Sequence, residues 1–217
     1  MYNILCYGDS NTWCVNTEEQ NCRIEYKKRW TQVMACKLGE NYHVIEEGLP
    51  GRTTVFEDPF GYGRHGEKYI EIALMTHNPI DLLIIMLGTN DMKDIYHATA
   101  EESAWGLERI ILKAKSLFSQ CFVNHFKILV VSPIHISETM DGQWYYGFSE
   151  KSVEKSKQLA EHYKKIADIH GCEFLDAAQY ANASMYDGVH MANNDNERLG
   201  EEIAQKVKKV LEFGDYA

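Results

Sequence analysis

The chain has 217 residues, 45% of them apolar and 25% charged, with a formal net charge of -10. That size and balance suit a single α/β domain over residues 1–217 with a core of its own. The acidic balance disfavours nucleic acid or an anionic membrane surface as partner, because both call for a basic face.

Six cysteines, Cys6, Cys14, Cys22, Cys36, Cys121 and Cys172, form no C-x-x-C pair and no zinc spacing. They read as buried or partly buried thiols. The apolar N-terminal run is too short for a signal peptide and lacks a positive n-region. No stretch approaches the ~20 apolar residues that span a bilayer. These features together predict a cytoplasmic protein.

Taken in order, Ile4–Tyr7 reads as a first strand, and residues 27–39 as a helix with apolar positions at Trp30, Val33, Met34 and Leu38. His43–Glu46 reads as a second strand, 48–66 as a Gly-, Pro- and charge-rich loop, and 67–77 as a helix. Ile80–Leu87 is nearly continuous in apolar residues, the pattern of a strand buried on both faces. A helix over 101–119, a strand over Lys127–Ser132, a helix over 149–170 and a short strand over Glu173–Leu175 follow. A last helix spans 195–212, with Asn193, Asn194 and Asp195 as candidate caps. Strands alternating with helices predict a five-stranded parallel sheet covered on both faces. The aromatic-rich connection 133–148 could cover a site, make a subunit contact or lie as a packed surface loop.

In such a sheet, sites lie beyond the carboxyl ends of the strands. After the first strand comes Gly8-Asp9-Ser10, and after the second Gly48-Leu49-Pro50-Gly51-Arg52. After the third comes Gly88-Thr89-Asn90-Asp91, and Asp187-Gly188-Val189-His190 precedes the last helix. One edge thus gathers the parts that acyl transfer requires. Ser10 is the candidate nucleophile, His190 the base that takes its proton, and Asp187 the carboxylate that fixes the imidazole. The backbone N–H groups of Ser10 and Gly51 and the side-chain amide of Asn90 are candidate oxyanion donors.

These four blocks resemble those of the SGNH, or GDSL-type, hydrolases, whose invariant Ser, Gly, Asn and His fall on Ser10, Gly51, Asn90 and His190. The resemblance covers nearly the whole chain. "GDSNTW", "EEGLPGRTT" and "LGTND" look most like the arylesterase and acyltransferase branch. It implies a flavodoxin-like three-layer α/β/α sandwich and hydrolysis of short-chain, acetyl-like esters through an acyl-serine. It also implies acyl transfer to alcohols in some members, no metal or organic cofactor, a small-molecule ester as partner, and assembly of some members into homo-oligomers. Asp9, Asn11 and Trp13 are candidate pocket residues beside Ser10. Asn11 stands where the motif has Leu and reads as tolerated variation. Cys14 replaces the branch's glycine after Trp13, where it could reshape the pocket rim.

Other features compete. Gly61–Gly66 matches G-x-G-x-x-G, but no strand feeds it, so it reads as a loop near the site mouth rather than a nucleotide fingerprint. Asp9 and Asp91 fit a role in orienting loops. Arg52 reads as structural, paired with an acid such as Glu47 or Asp91, in preference to facing a substrate carboxylate. His135 could line the pocket or sit on the long loop. Trp13, Trp144, Tyr145 and Tyr146 could form an aromatic cleft or an interface. The alternative from another class is a carbohydrate- or metabolite-binding domain on the same scaffold without turnover, which the intact Ser10, Asp187 and His190 weigh against.

Overall fold

The computed structural model describes residues 1–19, 22–120 and 126–212; Cys121 lies outside them. Its five strands are β1 (Tyr2–Gly8), β2 (Tyr42–Gly48), β3 (Leu82–Met86), β4 (Lys127–Ser132) and β5 (Glu173–Asp176). All pairs are parallel, in the order β2-β1-β3-β4-β5, the flavodoxin-like arrangement. The connecting helices are α1 (Ser10–Trp13), α2 (Trp30–Leu38), α3 (Gly66–Thr76), α4 (Ala100–Gln120), α5 (Glu150–Ile169) and α6 (Asp195–Glu212).

Alternation within the strands builds two cores. Leu5, Tyr7, Leu83, Ile85, Ile128 and Val130 face the layer of α3, α4 and α5. Ile4, Cys6, Leu82, Ile84, Leu129 and Val131 face the layer of α2 and α6. Every residue of β3 is buried, which is why this stretch is apolar throughout instead of alternating. The sequence-based boundaries shift by two residues or more at four elements. β1 starts two residues earlier, at Tyr2. Arg29 is extended and separates a 3₁₀ turn at Tyr26–Lys28 from α2, so the helix starts three residues later than its apolar spacing suggests. β2 runs two residues further at its carboxyl end. β3 is shorter than its apolar run because Ile80 and Leu87 are fully buried outside the ladder.

Register sets the site. Gly8 pairs with Gly48 on one side and with Met86 on the other, so three strands end at one level. Gly48 also carries the weight of α1. A Cβ at this position would lie 2.3 Å from Trp13 N, so only glycine lets the first helical turn rest on the end of β2. Arg52, 7% exposed, stacks 4.0 Å over the Tyr7 ring and donates from Nη1 to Gly8 O at 2.8 Å and to Glu47 O. It clamps these strand ends, and its Glu47 carboxylate is 4.0 Å away. Asp91 is engaged elsewhere, so the structural reading of Arg52 stands.

Gly48→Ala should lower stability by about 1–3 kcal/mol through this overpacking. Urea unfolding of the purified variant checks it; an unchanged midpoint would contradict the close approach.

Candidate active site

Ser10 opens α1, with Asp9 as its N-cap. Asp9 Oδ1 accepts from Asn11 N at 2.9 Å, which holds the turn tight. The Ser10 side chain makes no hydrogen bond among the described residues and faces a cavity of about 840 Å³. His190 faces the same cavity. Asp187 Oδ1 accepts from Val189 N and His190 N at 2.9 Å each, and Asp187 Oδ2 lies 2.7 Å from His190 Nδ1. A carboxylate only accepts, so Nδ1 carries the proton and Nε2 is left as the basic nitrogen. Burial pushes the Asp187 carboxyl up, but the His190 bond and charge and the two N–H donors outweigh it and hold it below the ordinary range.

The oxyanion candidates converge on the same wall. The N–H groups of Ser10 and Gly51 donate to no acceptor among the described residues. Gly51 adopts φ 84°, a left-handed conformation suited to glycine. Asn90 Nδ2 donates to Arg52 O at 3.1 Å, while its 3.4 Å contact with Asp9 Oδ2 engages the second hydrogen only weakly. Asn90 sits on a 3₁₀ turn, Asn90–Met92, anchored by the fully buried Asp91. Asp91 accepts from Thr54 N at 2.9 Å, Thr54 Oγ1 at 2.5 Å and Ser103 Oγ at 2.6 Å, and Ser103 meets Tyr163 Oη at 2.9 Å.

Not every sequence candidate lies in the wall. Trp13 does; Asp9 and Asn11 are buried beneath it and do not line the cavity. Asn11 Oδ1 accepts from Met191 N at 2.8 Å, and Nδ2 donates to Val189 O at 3.4 Å. It ties the Ser10 turn to the His190 loop, so the departure from Leu at this position has a structural use. Cys14 ends α1 at φ 63°, the left-handed conformation that glycine adopts most easily, and is buried away from the rim. From the long loop only Tyr146, Gly147 and Phe148 reach the wall; Trp144, Tyr145 and His135 do not. The Tyr146 ring meets His190 edge-on at 5.4 Å. Residues the sequence reading passed over supply the rest of the wall, chiefly Asp58, Phe60, Arg64, Lys93 and Tyr96. The charge at Arg64, inside the Gly61–Gly66 loop that reads as lying near the mouth, is the available signal.

The profile of the GDSL-like lipase/acylhydrolase family matches residues 6–199. The chain belongs to that family. It is 38% identical to Est24, a carbohydrate acetylesterase from Sinorhizobium meliloti, over 97% of this chain and 100% of that one, with a TM-score of 0.89. The native aryl esterase of M. smegmatis is 35% identical over 97% and 100% of the two chains, with a TM-score of 0.88. Comparison with curated proteins finds no match. This GDSL-family protein is a carboxylic ester hydrolase with the α/β architecture of those neighbours. No described helix is long and apolar enough to cross a membrane.

Two outcomes test the local physics. Asn11→Leu, which restores the motif's letter, should cost about 2–3 kcal/mol by leaving Met191 N and Val189 O unpaired, and should lower esterase turnover by misplacing His190. Denaturation and kinetics on the same preparation read both. The second concerns Asp9, whose carboxyl burial pushes up to about 6 against the Asn11 N–H and the nearby positive charge. A raised folded-state pKa stabilises below the unfolded value and loses that contribution as pH rises through about 6. Asp9→Asn should therefore gain stability relative to wild type between about pH 4 and pH 7, by up to roughly 3 kcal/mol. Parallel pH dependences for the two proteins would contradict it.

Proposed function

We propose that this hydrolase cleaves short-chain, acetyl-like esters through an acyl-Ser10 intermediate. The observation that carries the proposal is the Asp187–His190 bond of 2.7 Å on the same cavity wall as the unbonded Ser10 side chain. His190 Nε2 accepts the Ser10 proton as Oγ attacks the ester carbonyl carbon. Hydrogen bonds between such a pair tighten once substrate is bound. Asp187, held ionised, keeps Nδ1 protonated and stabilises the imidazolium. The negative charge on the carbonyl oxygen is met by Ser10 N–H, Gly51 N–H and Asn90 Nδ2, each worth roughly 3–4 kcal/mol when removed. The tetrahedral intermediate collapses as His190 gives its proton to the departing alcohol. A water then loses a proton to His190, adds to the acyl carbon, and releases the acid as Ser10 recovers its proton.

The similar structures, a carbohydrate acetylesterase and an aryl esterase, support a small acyl group and a bulky alcohol side. Trp13, Phe60, Tyr96, Tyr146 and Phe148 give that side broad apolar walls suited to an aryl ring or a sugar face. The same walls limit water at the acyl-Ser10, so an alcohol seated there competes with hydrolysis and receives the acyl group.

Ser10→Ala should lower kcat/KM on phenyl acetate by at least about 10⁴-fold with the fold intact, and Asp187→Asn by about 10³–10⁴-fold. Steady-state assays with far-ultraviolet circular dichroism check both. Unchanged turnover by Ser10→Ala would overturn the assignment.

A further inference from the structure

The cavity wall contains more charge than the chemistry above uses. Asp58, Arg64 and Lys93 all line it, beside the candidate oxyanion donors. Arg64 lies against Gly51: a Cβ on Gly51 would fall 2.5 Å from Arg64 Nε. Lys93 follows Asn90 by three residues and closes its turn, donating from its own N–H to Asn90 O at 3.2 Å.

The two cations are not equally engaged. Arg64 Nη1 bonds Asp58 Oδ2 at 2.5 Å, and Asp58 Oδ1 accepts from Phe60 N at 2.8 Å. That carboxylate is 4% exposed. Lys93 is half-buried, and among the described residues its ammonium has no ion pair or hydrogen bond; Nζ stands 5.7 Å from the Phe148 ring centre, at the cavity wall. Of the other nearby carboxylates, Asp187 is bonded to His190, and Asp9 lies beneath the floor on the Asn11 N–H. The trio therefore leaves one positive charge in excess, in a chain whose net charge is -10.

We propose that Lys93 is a specificity residue that selects esters carrying a second, negatively charged group, a carboxylate, on the part of the substrate that occupies this cavity. The inference rests on the esterase reading above. An ammonium that is half-buried and unpaired gains a charge-assisted bond when an anion arrives. Asp58 neutralises Arg64 through Nη1, so the uncompensated charge is the Lys93 ammonium and recognition is by a point charge. A single excess charge matches a monoanion better than a phosphate dianion. The substrates that fit are O-acylated hydroxy acids, acidic sugars among them.

The test compares para-acetoxybenzoate with its neutral methyl ester, each kcat/KM being divided by that compound's own uncatalysed rate. Wild type should favour the anion by about tenfold or more. Lys93→Gln should bring that ratio close to one, whereas a merely structural role for Lys93 would lower both esters together. As a measurement independent of any variant, about 0.5 M NaCl should erode the wild-type preference by screening the pair. A wild-type ratio near one, or a ratio unchanged in Lys93→Gln, overturns the inference and leaves the esterase reading standing. Turnover of neither ester overturns the esterase reading and this inference with it.

Discussion

The candidate site depends on one buried amide. Asn11 joins segments almost a full chain length apart, with Oδ1 on Met191 N and Nδ2 on Val189 O. A parallel sheet can align the ends of β1, β2 and β3, but it does not place the His190 segment, which follows β5 at the far side. That placement falls to side chains. Asn11 O also accepts from Trp30 Nε1 at 3.1 Å, and Trp30 N meets Asn196 Oδ1 at 3.3 Å, so the Ser10 turn is fixed to α2 and α6 as well. Trp30 is fully buried, and its apolar area supports a chain of polar contacts whose groups are each satisfied.

Three carboxylates near the cavity, Asp9 and Asp91 buried and Asp187 partly so, differ because their partners differ. Asp187 receives two backbone donors and an imidazole, which keeps it ionised. Asp9 is more deeply buried with fewer donors, and its carboxyl rises. Burial likewise raises Asp91, against the bonds from Ser103 and Thr54. Asp91 thereby ties the Asn90 turn to the loop after β2 and to α4, with Tyr163 of α5 one bond further. The effect is to hold the Asn90 amide in position through elements that carry no chemistry themselves, the arrangement that preorganised donors need.

The layered fold was legible because period-two and continuous apolar patterns survive in any parallel sheet. The catalytic candidates were legible because each follows a strand, and the sheet converts sequence order into one edge. What failed to show has a geometric cause. Asn11 adjoins Ser10 in sequence, yet successive helical residues point about 100° apart, so it turns inward; Asp9, the N-cap outside the helix, turns in to accept from Asn11 N. Trp13, three residues on from Ser10, returns to the same face and does line the cavity. Trp144 and Tyr145 fall on the outer side of a loop in which Gly142, Tyr146 and Gly147 take left-handed backbone, and no periodicity could order them. Phe60, Arg64, Lys93 and Tyr96 meet only through tertiary folding of two loops, and each alone reads as an ordinary loop residue.

Floor and wall obey separate constraints. The floor consists of backbone N–H groups and short side chains set by strand register, so Gly8, Gly48 and Met86 must stay level for the donors to converge. The wall is built from long side chains on loops whose only backbone obligation is to reach the mouth. A change of charge at Lys93 or of ring at Tyr146 leaves the register untouched, while Asn11, one residue from Ser10, answers to the register and to the His190 loop at once. On the proposed reading, chemistry and selectivity are thus carried by different kinds of structure within a single cavity. The family match therefore fixes the class of reaction, while in the proposed site it is the wall residues that would decide which ester is accepted.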